Sequence, residues 1–244
     1  MNEWLYGRNP IYETLRAGRR QLRGLKVARG VETKGRLAEI ISLCQQKKVP
    51  VKQVERQELD QIDRNTQGVA LQVGEYPYAG LDEILHLAHQ QGKPPFLLIL
   101  DTLQDPQNLG TLLRTAEAVG VHGVLLPLAR TATITPAVVN SSSGASEHLL
   151  VAQTNLAQAI KLLKDEDVWS VGLDGGQESQ PASQVNLRGG LALVVGSEGS
   201  GMRRLVRENC DILMRLPMHG KIESLNAAVA GSVALYLALA AREG

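Results

Sequence analysis

From Phe96 onward the chain alternates wholly apolar runs with helical stretches, and this limits its fold more than any other feature. Phe96-Leu97-Leu98-Ile99-Leu100 and Leu191-Ala192-Leu193-Val194-Val195 contain no polar residue. A strand with one wet face would alternate; an unbroken apolar run belongs to a strand covered on both faces. Further strands read at Gly123–Leu126, Trp169–Leu173 and Ile212–Leu216, with helices over 108–119, 155–165 and 224–242. This order predicts an α/β fold with a parallel sheet.

The first 75 residues read as a smaller α/β unit. It has a short helix over 9–17, with Asn9 able to cap and Pro10 at its first position. A strand at Leu25–Ala28 follows, then an amphipathic helix over 33–48 through Leu37, Ile40, Ile41 and Cys44. An extended piece begins at Val49, and Val69–Val73 is a strand after the turn Gln67-Gly68. Tyr76-Pro77-Tyr78-Ala79-Gly80 and Gly92-Lys93-Pro94-Pro95 break the pattern around a helical piece near 81–90. The expected organisation is therefore a domain over 1–75, a connection over 76–95 and a larger domain over 96–244.

Composition removes several alternatives. With 43% hydrophobic and 21% charged residues in 244, this is neither a collagen, a coiled coil nor a disordered chain. One Phe, two Trp and five Tyr are too few for a base-stacking platform. Cys44 and Cys210 lack CxxC partners, which speaks for a reducing compartment and against a disulfide framework. The histidines, at 86, 89, 122, 148 and 219, form no ligand pattern, so no metal is expected. Met1-Asn2-Glu3-Trp4 opens no signal peptide. The nearly apolar stretch Ala227–Ala241 falls short of the roughly 20 residues a membrane span needs. The expectation is a cytoplasmic protein with no membrane partner.

Charge is uneven. Residues 1–75 hold 14 Lys/Arg against 9 Asp/Glu, a net +5, while the remainder carries a net −4. Arg16, Arg19, Arg20, Arg23, Lys26 and Arg29 fall within fourteen positions. A basic module on a mildly acidic body suits a partner such as nucleic acid.

Ligands of parallel sheets bind at the carboxyl ends of the strands, and three such ends here are rich in polar residues and glycine. The first, Asp101 to Gly110, leads into a helix carrying Arg114, with Asn108 placed to cap it. The second is Gly196-Ser197-Glu198-Gly199-Ser200-Gly201. Its spacing differs from the dinucleotide-binding GxGxxG, and its carboxylate would repel a pyrophosphate. The third runs from Leu216 to Asn226, where Ser224 reads as the cap of the closing helix. Three such loops together point to an active site.

These segments resemble the three signature motifs of the SpoU (TrmH) family of RNA ribose 2′-O-methyltransferases. Asp-Pro-Gln-Asn-Leu-Gly with Arg114 resembles the first motif, Val195–Gly201 the second, and Leu-Pro-Met-His-Gly with Ser-Leu-Asn at 224–226 the third. Ser143-Gly144-Ala145-Ser146-Glu147 is similar to a family segment near the RNA. Tyr6–Pro10 and Thr66–Val69 resemble the small L30e-like substrate-binding domain of the branch that methylates a guanosine of 23S rRNA.

The resemblance implies a catalytic domain with a C-terminal trefoil knot, binding of S-adenosylmethionine in the knot, and a homodimer. It assigns catalysis to Asn108, Arg114, Glu198, Ser224 and Asn226, with Arg114 meeting the ribose hydroxyl and the neighbouring phosphate. It assigns the cofactor to Gly196, Leu216, Met218, Gly220 and Leu225, and RNA contacts to Arg8, Gln67, Ser143 and Glu147; the basic cluster adds Arg19, Arg20 and Arg23 as phosphate contacts. Asn140 stands where some relatives carry Lys. Methylation of tRNA ribose, or a non-catalytic RNA-binding or ribosome-assembly factor on the same fold, are the competing readings.

Overall fold

In the computed structural model, which describes residues 2–244, contacts separate the chain into two units. One comprises the chain to Pro77 together with Thr133–His148; the other comprises Tyr78–Ala132 and Leu149–Gly244.

The first unit contains β1 (Glu3–Tyr6), α1 (Arg8–Ala17), β2 (Leu22–Ala28), α2 (Arg36–Gln46), β3 (Val51–Val54), α3 (Arg56–Asp60) and β4 (Val69–Val73). Its sheet has the order β1-β4-β2-β3, with β4 antiparallel to both neighbours and β2 parallel to β3. Leu5, Ile11, Leu15, Leu37, Ile40 and Leu71 are fully buried. Helix α1 begins one residue earlier than its sequence suggests. Gly7, at φ 84, takes the cap position, so Asn9 does not cap and Pro10 is third in the helix. Proline is tolerated there because the first helical N–H groups lack partners in the helix.

Thr133–His148, expected in the larger domain, packs into this first unit as α6 (Pro136–Ser141) and the 3₁₀ turn Ala145–Glu147. The anchor is Arg20. Its guanidinium is buried and grips Glu147 through Nε and Nη2, both at 2.9 Å, Glu3 at 2.7 Å and the Gly74 carbonyl. Burial alone would lower the arginine's pKa, but Glu147 and Glu3 raise it above its ordinary value. Arg19 donates to the Tyr76 hydroxyl and the Pro77 carbonyl and lies over the Tyr76 ring.

The second unit holds α4 (Leu81–Gln90), β5 (Phe96–Leu100), α5 (Pro106–Ala118), β6 (Gly123–Pro127), β7 (Leu150–Thr154), α7 (Leu156–Asp165), β8 (Val168–Leu173), β9 (Gln180–Pro181), β10 (Gly190–Val195), α8 (Arg204–Asn209), β11 (Ile212–Arg215) and α9 (Ala227–Glu243). The seven strands run β7-β6-β5-β10-β8-β11-β9, and every pairing is parallel. The parallel α/β sheet read from the apolar runs is therefore present. All of β5 is buried.

Helix α4 lies within the expected connection yet belongs to this unit. Its Ile84 joins the core with Leu97, Ile99 and Leu125, and a Cβ on Gly123 would sit 2.5 Å from it. After β11 the chain returns as α9 to pack on α5 and β10. The approach is close at Gly231, where a Cβ would lie 2.6 Å from Leu112. No helix among the described residues is long and apolar enough to cross a membrane.

Candidate active site

Three carboxyl-end loops, after β5, β10 and β11, build the site from below. The loop after β5 enters α5 at Asp105, whose side chain accepts from the Gln107 amide at 3.0 Å. Asp105, not Asn108, is thus the cap. Asn108 is two residues past Pro106, the first helical residue, and so has its amide side chain available for other partners.

The loop after β10 is a tight hairpin. Ser197 and Gly201 exchange both backbone hydrogen bonds at 3.0 Å. A Cβ on Gly196 would fall 2.3 Å from the Gly201 backbone, so only glycine permits this turn. The hairpin projects Glu198. The third loop ends at Asn226, which caps α9 by accepting from the Ala228 and Val229 amides at 2.9 and 3.1 Å. Ser224 is therefore not the cap; Asn226 competes with it two residues on and has the better position.

The three loops meet at one carboxylate oxygen. Glu198 Oε1 accepts from Asn108 Nδ2 at 3.1 Å, from Asn226 Nδ2, and from the Ala227 amide at 3.4 Å. Asn226 also donates to Asn108 Oδ1 at 3.1 Å. Amide–amide–carboxylate bonding of this kind fixes all three side chains in one arrangement.

Beside the cluster opens a cavity of about 780 Å³, lined by the hairpin, the end of β8 with Asp174 and Gly175, and the third loop. Gly196, Leu216, Met218 and Leu225 line it, as do Glu198, Ser224 and Asn226; Gly220 does not. Burial tends to raise the Asp174 pKa, but the Arg207 hydrogen bond at 2.9 Å and the Gly176 amide bring it below the ordinary carboxylate value. Sequence reasoning passed over Asp174, although its position directly after an apolar strand was the available signal. Arg114 is exposed on α5 and does not line the cavity. At 3.6 residues per turn it lies about 240° around the helix from Asn108.

The residues assigned to RNA divide. Arg8 bonds Gln67 from both its backbone amide and its Nε, so Tyr6–Pro10 and Thr66–Val69 form one corner. Arg23 is exposed, and Ser143 sits half-buried at φ 55. Arg20 and Glu147 are 5% and 1% exposed and satisfy each other, so neither meets a phosphate. They hold the unit together instead. Asn140 donates to the Tyr6 carbonyl at 3.2 Å.

The sequence pattern of the SpoU rRNA Methylase family matches residues 95–236. The chain belongs to this family. A second pattern, described as RNA 2′-O ribose methyltransferase substrate binding, matches residues 4–79. The chain is 42% identical to YacO of Bacillus subtilis (strain 168), whose name places it among TrmH family tRNA/rRNA methyltransferases, across 96% of this chain and 94% of that one. A tRNA/rRNA methyltransferase of Mycolicibacterium vanbaalenii is also 42% identical, over 96% of this chain and 74% of its own. Among solved structures, the SpoU methyltransferase AviRb from Streptomyces viridochromogenes in complex with AdoMet superposes with a TM-score of 0.80, at 22% identity over 98% of this chain and 90% of that one. The AdoMet-bound rRNA methyltransferase from Sinorhizobium meliloti gives 0.80 at 23%, covering 97% and 86%. At that identity the likeness is one of fold. As a SpoU family member the chain is an RNA methyltransferase with a substrate-binding domain ahead of its catalytic one.

Proposed function

We propose that the protein methylates a ribose 2′-hydroxyl of RNA, at a guanosine of 23S rRNA, with S-adenosylmethionine as donor. The observation that carries this reading is the joining of Asn108 to Glu198 and Asn226, two residues that line the 780 Å³ cavity.

The cavity suits that donor. Its volume lies in the range of small-molecule sites. Leu173, Val195, Met214, Leu216 and Leu225 offer apolar walls for an adenine, and Asp174, Glu198 and Glu223 set carboxylates near a cationic sulfonium. Leu216, Met218 and Leu225, with the backbone around Gly196, would hold the cofactor. The bound donor supplies an electrophilic methyl on a sulfonium that leaves as a neutral thioether, so no metal is required.

The 2′-oxygen would take the methyl as the carbon–sulfur bond pair returns to sulfur, and the hydroxyl proton would pass to solvent water. Guanidinium groups hold their protons in proteins, so Arg114 serves by orienting the hydroxyl and neutralising the adjacent phosphate. Asn108 and Asn226 fix Glu198, and Ser224 adds a hydroxyl from the third loop.

RNA is held by the basic first unit, with Arg8, Arg19, Arg23, Gln67 and Ser143 as contacts. Two chains form the working enzyme through α9, where Val229, Val233, Tyr236 and Leu237 are 40–56% exposed. An apolar helix face of this kind fits a two-fold interface. Leu235 on the same helix is fully buried in its own chain, and Leu239 is half-buried. The trefoil knot implied by the family belongs to the same proposal.

Calorimetry tests the reading. S-adenosylmethionine should bind one site per chain, and a nicotinamide dinucleotide should not. No heat with S-adenosylmethionine would favour the non-catalytic factor.

A further inference from the structure

The hairpin that carries Glu198 has backbone bonds to itself, but nothing in those bonds fixes where it points. Besides the hold of Asn108 and Asn226 on Glu198, a second set of contacts acts just downstream. Arg203 follows the hairpin and opens α8. Its backbone amide donates to Asp101 Oδ2 and its Nε to Asp101 Oδ1, both at 2.7 Å. Asp101 terminates β5 and is completely buried. One turn further along, Arg207 donates through Nε to Asp174 at 2.9 Å and through Nη2 to Glu178 at 3.1 Å. Asp174 follows β8.

The strand order gives these pairs their meaning. β10, from which the hairpin springs, lies between β5 and β8. An aspartate at the carboxyl end of each flanking strand therefore grips one arginine of α8. Met202, between the hairpin and the first arginine, is seated in the core, where Gly172 leaves room for its methyl group. The hairpin is fastened on both sides of its parent strand.

We infer that Asp101–Arg203 and Asp174–Arg207 are positioning pairs that bracket the 196–202 hairpin and set Glu198 and the cavity wall for cofactor and substrate. None of the four was singled out by the family motifs. Two carboxylate anchors under one loop give it the rigidity that a preorganised site needs. The inference rests on the methyltransferase reading for its effect on activity, but its effect on the hairpin does not.

The test uses the full chain with Arg207→Ala, whose partner Asp174 is only partly buried, as the variant that keeps the fold; Arg203→Ala and Asp101→Asn accompany it, and Arg203→Ala also loses stability because it strands the buried Asp101. Hydrogen exchange is read at the Ser197 and Gly201 amides, and S-adenosylmethionine affinity by calorimetry. The bracket predicts faster exchange at both amides, and cofactor affinity about tenfold weaker or worse, with the melting transition still cooperative. Arg203→Lys should recover part of the affinity, because one donor and the charge remain. Wild-type exchange and affinity in Arg203→Ala and Arg207→Ala would overturn the bracket. Faster exchange in a protein whose wild type binds no S-adenosylmethionine would uphold the bracket as a loop anchor and overturn the methyltransferase reading instead.

Discussion

Asn226 does two things at once: its oxygen caps α9 and its nitrogen holds Asn108 and Glu198. Asn226→Ala should therefore cost about 1 kcal/mol of stability, as lost caps do. It should also cut methyl transfer well beyond what that loss explains. Asn226→Asp keeps the cap but places a second carboxylate against Glu198, so it should regain only the cap's share of stability and should not restore activity. Thermal melts beside single-turnover assays separate the two roles. Which polar residue would cap was not legible in the sequence, because Ser224 and Asn226 are both good caps two positions apart. Nor was the fate of Arg20, which reads as one cation in a basic run. Its burial depends on Glu147, 127 positions away, a pairing that no local pattern reports.

His122 offers a residue-scale test of pH. Its Nδ1 accepts from the Phe96 amide at 2.9 Å, so the ring is neutral. Burial, with Arg242 and Lys93 nearby, lowers its pKa below the usual histidine value. The unfolded chain then takes up a proton first as pH falls, and stability drops from about pH 6.5 downward until the folded histidine also titrates. His122→Gln should show a smaller loss of melting temperature between pH 7 and 5 than the wild type. Equal slopes would show that other groups govern that range.

At the scale of elements, periodicity and apolar runs located the long pieces well. β4 and α4 have the bounds the sequence suggests, and most other strands agree within a residue or two at each end. What escaped was mostly short: β1, α3, α6, α8 and the two-residue β9 contain too few residues to display a period, and the five-residue β7 was missed as well. The outward face of α9 was not legible for a different reason. An alanine-rich helix is apolar all round, so its sequence does not say which side its own sheet will cover. With Tyr236 at 56% exposure and Val233 at 42%, the Tyr236→Glu variant should dissociate the proposed dimer while leaving the monomer folded. Sedimentation velocity with circular dichroism checks this, and an unchanged dimer would place the interface elsewhere.

For the whole molecule, the two family matches at 4–79 and 95–236 suggest a simple cut between domains. The contacts argue otherwise. Thr133–His148 leaves the catalytic stretch of sequence to pack into the first unit, where Glu147 meets Arg20. A fragment beginning at Phe96 would strand that carboxylate and lose α4, whose Ile84 covers Gly123. Stranding one member of a buried ion pair costs about 3–5 kcal/mol. The 96–244 fragment should thus be poorly folded, and 78–244 with Glu147→Gln distinctly better, by thermal melting and hydrogen exchange. The expected domains came from two separate hydrophobic patterns; the excursion was not legible, because it depends on partners far apart in the chain.

The central claim is methyl transfer to a ribose oxygen of rRNA. The most direct measurement incubates the full-length protein with unmodified 23S rRNA and methyl-labelled S-adenosylmethionine, then identifies the labelled nucleoside and its position. The account predicts 2′-O-methylguanosine at one position, with Arg114→Ala slower by about a hundredfold or more at unchanged cofactor affinity. Label on a base, label only in tRNA, or near-normal turnover in Arg114→Ala would each contradict it.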